Sequence, residues 1–443
     1  MEEGGRKIHS QEGFCSATPR CSPGGSNWRP AFDLTLANPA RSSAVALKSP
    51  PAVGKHARRS RASVQSLKGA PPEKVRRIVA DLLQWFANNA RDLPWRRTLD
   101  PYAIWVSEIM LQQTQVKTVI PYWERWMREL PSIASLARAR PERVLKLWEG
   151  LGYYTRGRNL QKAAQRIASE CGGRFPTQFN EILALSGVGR YTAGAIASIA
   201  FNQSAPILDG NVIRVLTRLF AIDADPKQKQ TNALLWAIAE QLVREAARHS
   251  PPQTARPFTI SGPCSLLNQS LMELGATVCT PKQARCGECP LRGHCAARTT
   301  NRVDSLPNLA RRSVVTRRRF VAFVVGRDGR WLVRQRSAGI LNAHLWEFPN
   351  AEIDNSAVDV NEVASSVLHA KPRSLRRLTT VKHSITRYRI SLEAYLFNGR
   401  RISERSKDGR WLSLADLDKL PFTSAHRKVL AALRGSIAQG VRN

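Results

Sequence analysis

Residues 181–216 read EILALSGVGRYTAGAIASIAFNQSAPILDGNVIRVL, and the rest of the chain is organised around this stretch. Its first half, Leu185-Ser-Gly-Val-Gly-Arg-Tyr-Thr-Ala, sets a Gly-x-Gly turn between an apolar segment and a helix of small residues starting near Tyr191. Glycine tolerates positive φ and close backbone approach, so the N–H groups around Gly187, Val188 and Gly189 can face outward at the mouth of that helix. Such a turn is an anion seat suited to phosphate, although Gly-Val-Gly alone is equally an ordinary helix–turn–helix corner. The second half, Leu208-Asp-Gly-Asn, places the carboxylate of Asp209 at the start of the following helix.

Outward from this stretch, 443 residues are enough for two or three domains with sizeable cores. Sixty-eight Lys and Arg against 34 Asp and Glu leave a net charge of +34, and the pI is about 11.0. Such a chain is drawn to polyanions, and with no long apolar run the partner is nucleic acid before membrane. Of eight cysteines, four crowd into residues 279–295. With no apolar secretory segment at the start, a cytoplasmic, nucleoid-associated protein holding a metal is expected rather than a disulfide framework.

Residues 1–70, rich in Ser, Ala, Pro and Gly and densest in charge at Lys55-His-Ala-Arg-Arg-Ser-Arg, cannot build a core and read as a disordered basic extension. That extension is either a weak DNA-binding arm or dispensable. Order is expected from Pro71-Pro72, where Val75, Ile78, Val79, Leu82, Leu83 and Phe86 recur at helical spacing, and the pattern stays helical to about residue 300. The helix Val106-Ser-Glu-Ile-Met-Leu-Gln-Gln-Thr-Gln-Val carries Glu108 among apolar neighbours, an environment that raises a carboxyl pKa and suits a general acid; a solvent-facing glutamate is the plainer alternative. Gln112 and Gln113 offer donors and acceptors for base edges, or simply a polar helix face. Asp209 can cap its helix and, held ionised by helix N–H groups, stabilise a developing cation. Together, Glu108 and Asp209 would divide the labour of breaking a glycosidic bond.

The spacing Cys279-x6-Cys286-x2-Cys289-x5-Cys295 supplies four thiolates in one loop, which suits tetrahedral zinc and a [4Fe–4S] cluster about equally. Lys282, Arg285 and Arg292 flank it and would offset the anionic centre.

Taken in order, SEIMLQQTQV, GLGYY, LSGVGRYTAGAI, LDGNVIRVL and the four-cysteine spacing resemble the adenine DNA glycosylase (MutY) family of the helix-hairpin-helix superfamily, which also contains endonuclease III. The resemblance implies a mainly α fold, with a six-helix barrel at about 93–203 and a cluster domain at about 72–92 plus 204–300. It also implies a [4Fe–4S] cluster on Cys279, Cys286, Cys289 and Cys295. In the bifunctional relatives a lysine follows the hairpin; Tyr191 stands there in this chain and cannot form a Schiff base, so little or no lyase activity is expected. By resemblance, Glu108 would protonate N7 of a flipped adenine and Asp209 would stabilise the sugar cation, with Tyr191 and Asn211 positioning the site. Gln112, Gln113, Leu185, Gly187, Val188 and Gly189 would meet the DNA. The implied partner is double-stranded DNA holding adenine opposite 8-oxoguanine or guanine, engaged by a monomer. Arg158 after Gly157, a loop-like insertion over about 246–261 and the bystander Cys264 are small departures from the pattern.

After a basic linker at 301–318, the period becomes strand-like, with an Asp-Gly turn inside Arg319–Arg336, strands near Leu345 and from Ile385 to Phe397, and a helix from about Ser424 to Leu433. This α+β unit over 319–434, followed by a flexible tail at 435–443, resembles a Nudix domain without the metal-binding glutamate box, so it reads as a recognition module. Where the family usually has His-x-Phe-Ser/Thr-His for sensing 8-oxoguanine, this chain has His383-Ser-Ile-Thr-Arg, which puts lesion recognition on Ile385, Thr386 and Arg387. A mismatch glycosylase acting on thymine or uracil opposite guanine, and a non-catalytic iron–sulfur DNA-binding or redox-sensing protein, are the other functional readings.

Overall fold

Pro72 opens helix α1 (Pro72–Asn89), where the missing N–H of proline costs nothing, and the apolar residues at three- and four-residue spacing all end up buried. The computed structural model describes residues 71–252, 258–309, 315–354, 358–372, 374–385, 387–399, 402 and 409–439. The expected N-terminal extension and Thr386 therefore lie outside the described residues.

The helical part continues through α2 (Pro101–Leu111), α3 (Val116–Glu129), α4 (Ile133–Arg138), α5 (Pro141–Trp148), α6 (Thr155–Glu170), α7 (Phe179–Leu183), α8 (Arg190–Phe201), α9 (Gly210–Leu219), α10 (Lys229–Ala246), α11 (Pro263–Thr277) and α12 (Ala296–Thr299). Among the described residues no helix is long and apolar enough to cross a membrane.

Two cores share α8. One gathers α1, α9, α10 and α11, including the buried Cys264; the other gathers residues from Leu93 to Ala205 around Trp105, Trp126 and Trp148. Small residues let α8 lie between them, and a Cβ added at Gly194 would come within 2.2 Å of the Pro206 carbonyl. The expected insertion before α11 is partly anchored. Phe258 packs on Phe86 with centroids 6.3 Å apart, Thr259 N–H donates to the Arg96 carbonyl at 3.0 Å, and the Ser261 hydroxyl donates to that of Ile199 at 2.7 Å.

Among the described residues beyond 315, seven strands form a mixed sheet: β1 (Thr316–Arg327), β2 (Arg330–Gln335), β3 (Trp346–Glu347), β4 (Asn350–Ile353), β5 (Arg376–Ile385), β6 (Tyr388–Asn398) and β7 (Arg410–Ser413). The order along its main path is β3-β2-β1-β6-β5, with β1 and β6 parallel. Asp328 and Gly329, at φ +48° and +72°, make the tight turn read from the sequence. Val321, Phe323 and Val325 face α13 (Val360–Leu368), while Ala322 and Val324 face α15 (Ser424–Ala438), so β1 is buried on both sides. The short α14 (Leu414–Lys419) precedes α15.

Three expectations change here. The strand expected from Ile385 to Phe397 is β6, the second arm of an antiparallel β5–β6 pair: residues 376–385 pair with it, with a register shift between Arg377 and Thr379. The segment expected as a linker is tied down before residue 309: Leu306 is buried, its carbonyl accepts from the Arg218 guanidinium at 2.9 Å, and Arg302 pairs with Asp223. The last helix runs to Ala438, past the expected start of a flexible tail, because Leu430 and Leu433 bury against the sheet.

Candidate active site and cysteine pocket

Asp100 accepts a hydrogen bond from the Tyr102 N–H at 3.0 Å and Pro101 occupies the first turn, so α2 starts at a fixed place and carries Glu108 on its buried run. The solvent-facing alternative is thereby excluded: Glu108 is only 6% exposed. Burial is the main force pushing its pKa up to about 7, with the charge of Asp209 adding to it and the Tyr191 hydroxyl and Arg96 opposing. Tyr191, on the second residue of α8, donates its hydroxyl to Glu108 Oε2 at 3.0 Å and lies 3.0 Å from Met272 Sδ. Burial and the two nearby carboxylates hold its own pKa well above 10, so it stays a neutral donor.

Asp209 caps α9 as the sequence suggested. Its Oδ1 accepts from the Val212 N–H at 2.7 Å and its Oδ2 from Asn211 Nδ2 at 3.0 Å. Burial nevertheless raises its pKa from the ordinary carboxylate value, and these hydrogen bonds pull it back. The two carboxyls sense each other and differ in support. Glu108 has a phenol, whereas Asp209 has helix N–H groups that favour the charged form.

Sequence reasoning missed Arg214. From the same face of α9 it donates to Asn211 Oδ1 at 2.8 Å, to the Gly275 carbonyl at 2.7 Å and to the Cys279 carbonyl at 2.7 Å. The available signal was an arginine three residues after Asn211, one turn along the helix.

The hairpin is built as read, with one revision. Gly187 has φ +78°, and a Cβ there would sit 2.7 Å from Asn159 Cβ, so only glycine fits without strain. Gly187 and Gly189 are exposed, but Leu185 and Val188, expected at the DNA, bury their side chains in the core, and the Val188 N–H is spent on the Leu185 carbonyl. They shape the turn, and its exposed glycines are what it can present to a phosphate. Gln113 is exposed with φ +55°, while Gln112 turns inward and donates to Thr192 Oγ1 at 3.3 Å. Gly157 lies against Trp148, leaving about 3.0 Å for a Cβ.

Cys279, Cys286, Cys289 and Cys295 line one pocket with Arg218, Arg285, Arg292 and Arg298; Lys282 is exposed and is not among the lining residues. All four thiols are free. Burial, with the other sulfurs adding to it, pushes the Cys289 thiol up to about 11, so a metal charge is what such a cage needs to hold thiolates. Four soft sulfur donors lining one pocket, with Arg218 Nη1 3.4 Å from Cys279 Sγ, are a donor set that suits iron–sulfur and tetrahedral zinc alike.

Residues 106–241 match the family described as HhH-GPD superfamily base excision DNA repair protein, and residues 320–432 match the NUDIX domain. The adenine DNA glycosylase of Rattus norvegicus is 35% identical over 412 residues, covering 79% of this chain and 76% of the rat protein. The chain belongs to the adenine DNA glycosylases. The Homo sapiens adenine DNA glycosylase is 48% identical over 226 residues, spanning 49% of this chain and 38% of the human one. A solved thermostable thymine-DNA glycosylase aligns at 27% identity with a TM-score of 0.44, over 52% of this chain and 98% of that one.

For an adenine DNA glycosylase, the expected lesion-sensing residues sit at the β5–β6 hairpin. Ile385 ends β5, paired with Tyr388. Arg387 is exposed and donates to the Tyr388 hydroxyl at 3.1 Å, while its carbonyl accepts from the Thr316 N–H at 3.0 Å. Thr386, between them, is outside the described residues.

Proposed function

We propose that this chain hydrolyses the N-glycosidic bond of adenine mispaired with 8-oxoguanine or guanine in double-stranded DNA, working as a monomer in the reducing cytoplasm on chromosomal DNA. The observation that supports the mechanism is the buried Glu108, with its pKa pushed up to about 7 partly by the charge of Asp209, hydrogen-bonded to a tyrosine at the position of the lyase lysine. A flipped adenine is required, since neither carboxyl reaches the bond in an intact stack. Protonated Glu108 gives its proton to N7 of the base and so turns adenine into a neutral leaving group. As the C1′–N9 bond breaks, the Asp209 carboxylate stabilises the cationic sugar or a transient adduct, and Asn211 holds that carboxylate in place. Water then bonds to C1′, and its proton returns to the Glu108 carboxylate. Tyr191 supplies no amine, so the product is an intact strand with an abasic sugar.

Cys279, Cys286, Cys289 and Cys295 would hold a [4Fe–4S] cluster, which when bound ties the exit of α11 to α12 and takes no part in hydrolysis. Gln112, Gln113 and the hairpin glycines would line the DNA path, and Ile385, Thr386 and Arg387 would read the base opposite.

The test is a panel of duplexes with A opposite 8-oxoguanine, A opposite G, T opposite G and A opposite T, followed under single turnover with and without hot alkali. Adenine is expected to leave fastest opposite 8-oxoguanine, with strand breaks only after alkali. Release of thymine opposite G would reject the substrate; breaks without alkali at the excision rate would reject the role given to Tyr191.

A further inference from the structure

Glu149 follows α5 and is a glutamate with only 4% exposure, outside the site just described. Its partners come from both parts of the molecule. Oε1 accepts from the backbone N–H of Phe422 at 2.8 Å, Oε2 accepts from Lys146 Nζ at 2.8 Å, and Arg427 Nη1 lies 3.6 Å from the same Oε2. Lys146 Nζ also donates to the Leu420 carbonyl at 2.9 Å, and the Tyr154 hydroxyl donates to the Phe422 carbonyl at 3.2 Å. Nearby, Arg158 donates to the Ala343 carbonyl at 3.0 Å, and Leu345 is fully buried in the core of the helical part. Glu149 is therefore the buried charge on which residues 420–427 of the C-terminal domain are seated.

The loop from Glu149 to Tyr154 leads directly into Arg156. That guanidinium donates to the carbonyls of Ile109 at 2.9 Å, Met110 at 3.1 Å and Gln112 at 2.6 Å, the last turn of α2. With its other terminal nitrogen, Nη2, it donates to the carbonyls of Leu151 at 3.1 Å and Gly152 at 3.2 Å. One cation thus pins the loop that the C-terminal domain grips to the end of the helix whose residue 108 is the acid. Carbonyls at a helix end have no partners of their own, so whatever satisfies them sets where that end lies.

We infer that docking of the C-terminal domain on Glu149 positions Glu108 through Arg156, making Glu149 and Arg156 positioning residues for adenine excision; the inference rests on the role given to Glu108 above. The C-terminal domain then contributes to the chemical step on every adenine substrate, besides any reading of the opposite base. Small displacements of a reacting group are costly, so the effect falls on the rate at saturation rather than on binding.

The test uses the full chain and a duplex with A opposite G, so that 8-oxoguanine recognition is not involved. Glu149→Ala should lower the single-turnover excision rate at saturating enzyme about tenfold, leave the duplex Kd within about twofold, and speed amide exchange at residues 109–114 as well as 420–427. Glu149→Gln keeps an acceptor for the Phe422 N–H and should recover part of the rate. Arg427→Ala, at a half-exposed position that leaves no buried group bare, keeps the test valid if Glu149→Ala does not fold, with a smaller loss in the same direction. An unchanged rate, a loss carried by Kd alone, or unchanged exchange at 109–114 overturns the inference. A Glu108→Gln control separates the two ideas: full activity there removes the acid assignment, while the exchange arm still decides whether the joint reaches α2.

Discussion

At the scale of the residue, Glu108 carries the sharpest expectation. Its pKa rises from 4.5 to about 7 because burial penalises the charged form, so the acid is loaded below about 7 and emptied above it. Excision at saturation should therefore fall about tenfold per pH unit above that value, and Glu108→Gln should abolish nearly all excision while duplex binding persists. The same shift has a sign for stability. The folded state holds the proton more tightly than the unfolded chain, so stability present below 4.5 is lost as the pH rises to about 7. Denaturant unfolding above neutral pH should then find Glu108→Gln more stable than the parent by up to about 3 kcal/mol, since one pKa unit is worth about 1.4 kcal/mol. A variant with parental excision, or with no gain in stability there, would contradict the buried-acid description.

At the scale of the element, the cysteine loop depends on what it binds. Burial raises the Cys289 and Cys295 thiols above their ordinary value, so without a metal they keep their protons, and bound iron would hold them as thiolates. Protein purified without oxygen should be brown and contain about four irons per chain, and Cys289→Ser should lose the colour and unfold more easily. Stoichiometric zinc in place of iron after reconstitution would rule the cluster out. Arg214 joins this loop to Asn211, so damage to the cysteines is expected to be felt at Asp209 as well.

At the scale of the whole molecule, a chain ending at Leu309 removes the seat on Glu149 and leaves its carboxylate, with Tyr154, at a bare surface. Such a chain should lose any preference for 8-oxoguanine over guanine and also turn over A opposite G more slowly than the full chain. Measuring both duplexes side by side distinguishes loss of recognition alone, which would leave the A opposite G rate unchanged. The N-terminal residues 1–70 enter neither expectation.

What the sequence determined by itself was whatever local chemistry repeats in a short window. The Gly187–Gly189 turn, the cap at Asp209, the four-cysteine spacing and the helical period of α1 are all set by neighbours a few residues away, and they are legible for that reason. The burial of Glu108, the inward turn of Gln112 and the burial of Leu185 and Val188 depend on which face of an element the core covers, which the period alone does not say. Arg156 and Glu149 were legible only as a basic group and an acidic group beside GLGYY. Their partners lie some 45 residues back on α2 and more than 270 residues ahead in the C-terminal domain, and only the tertiary structure brings those carbonyls and N–H groups to them. The β5–β6 hairpin was half seen for a related reason: pairing across a turn decides a strand whose own alternation is weak.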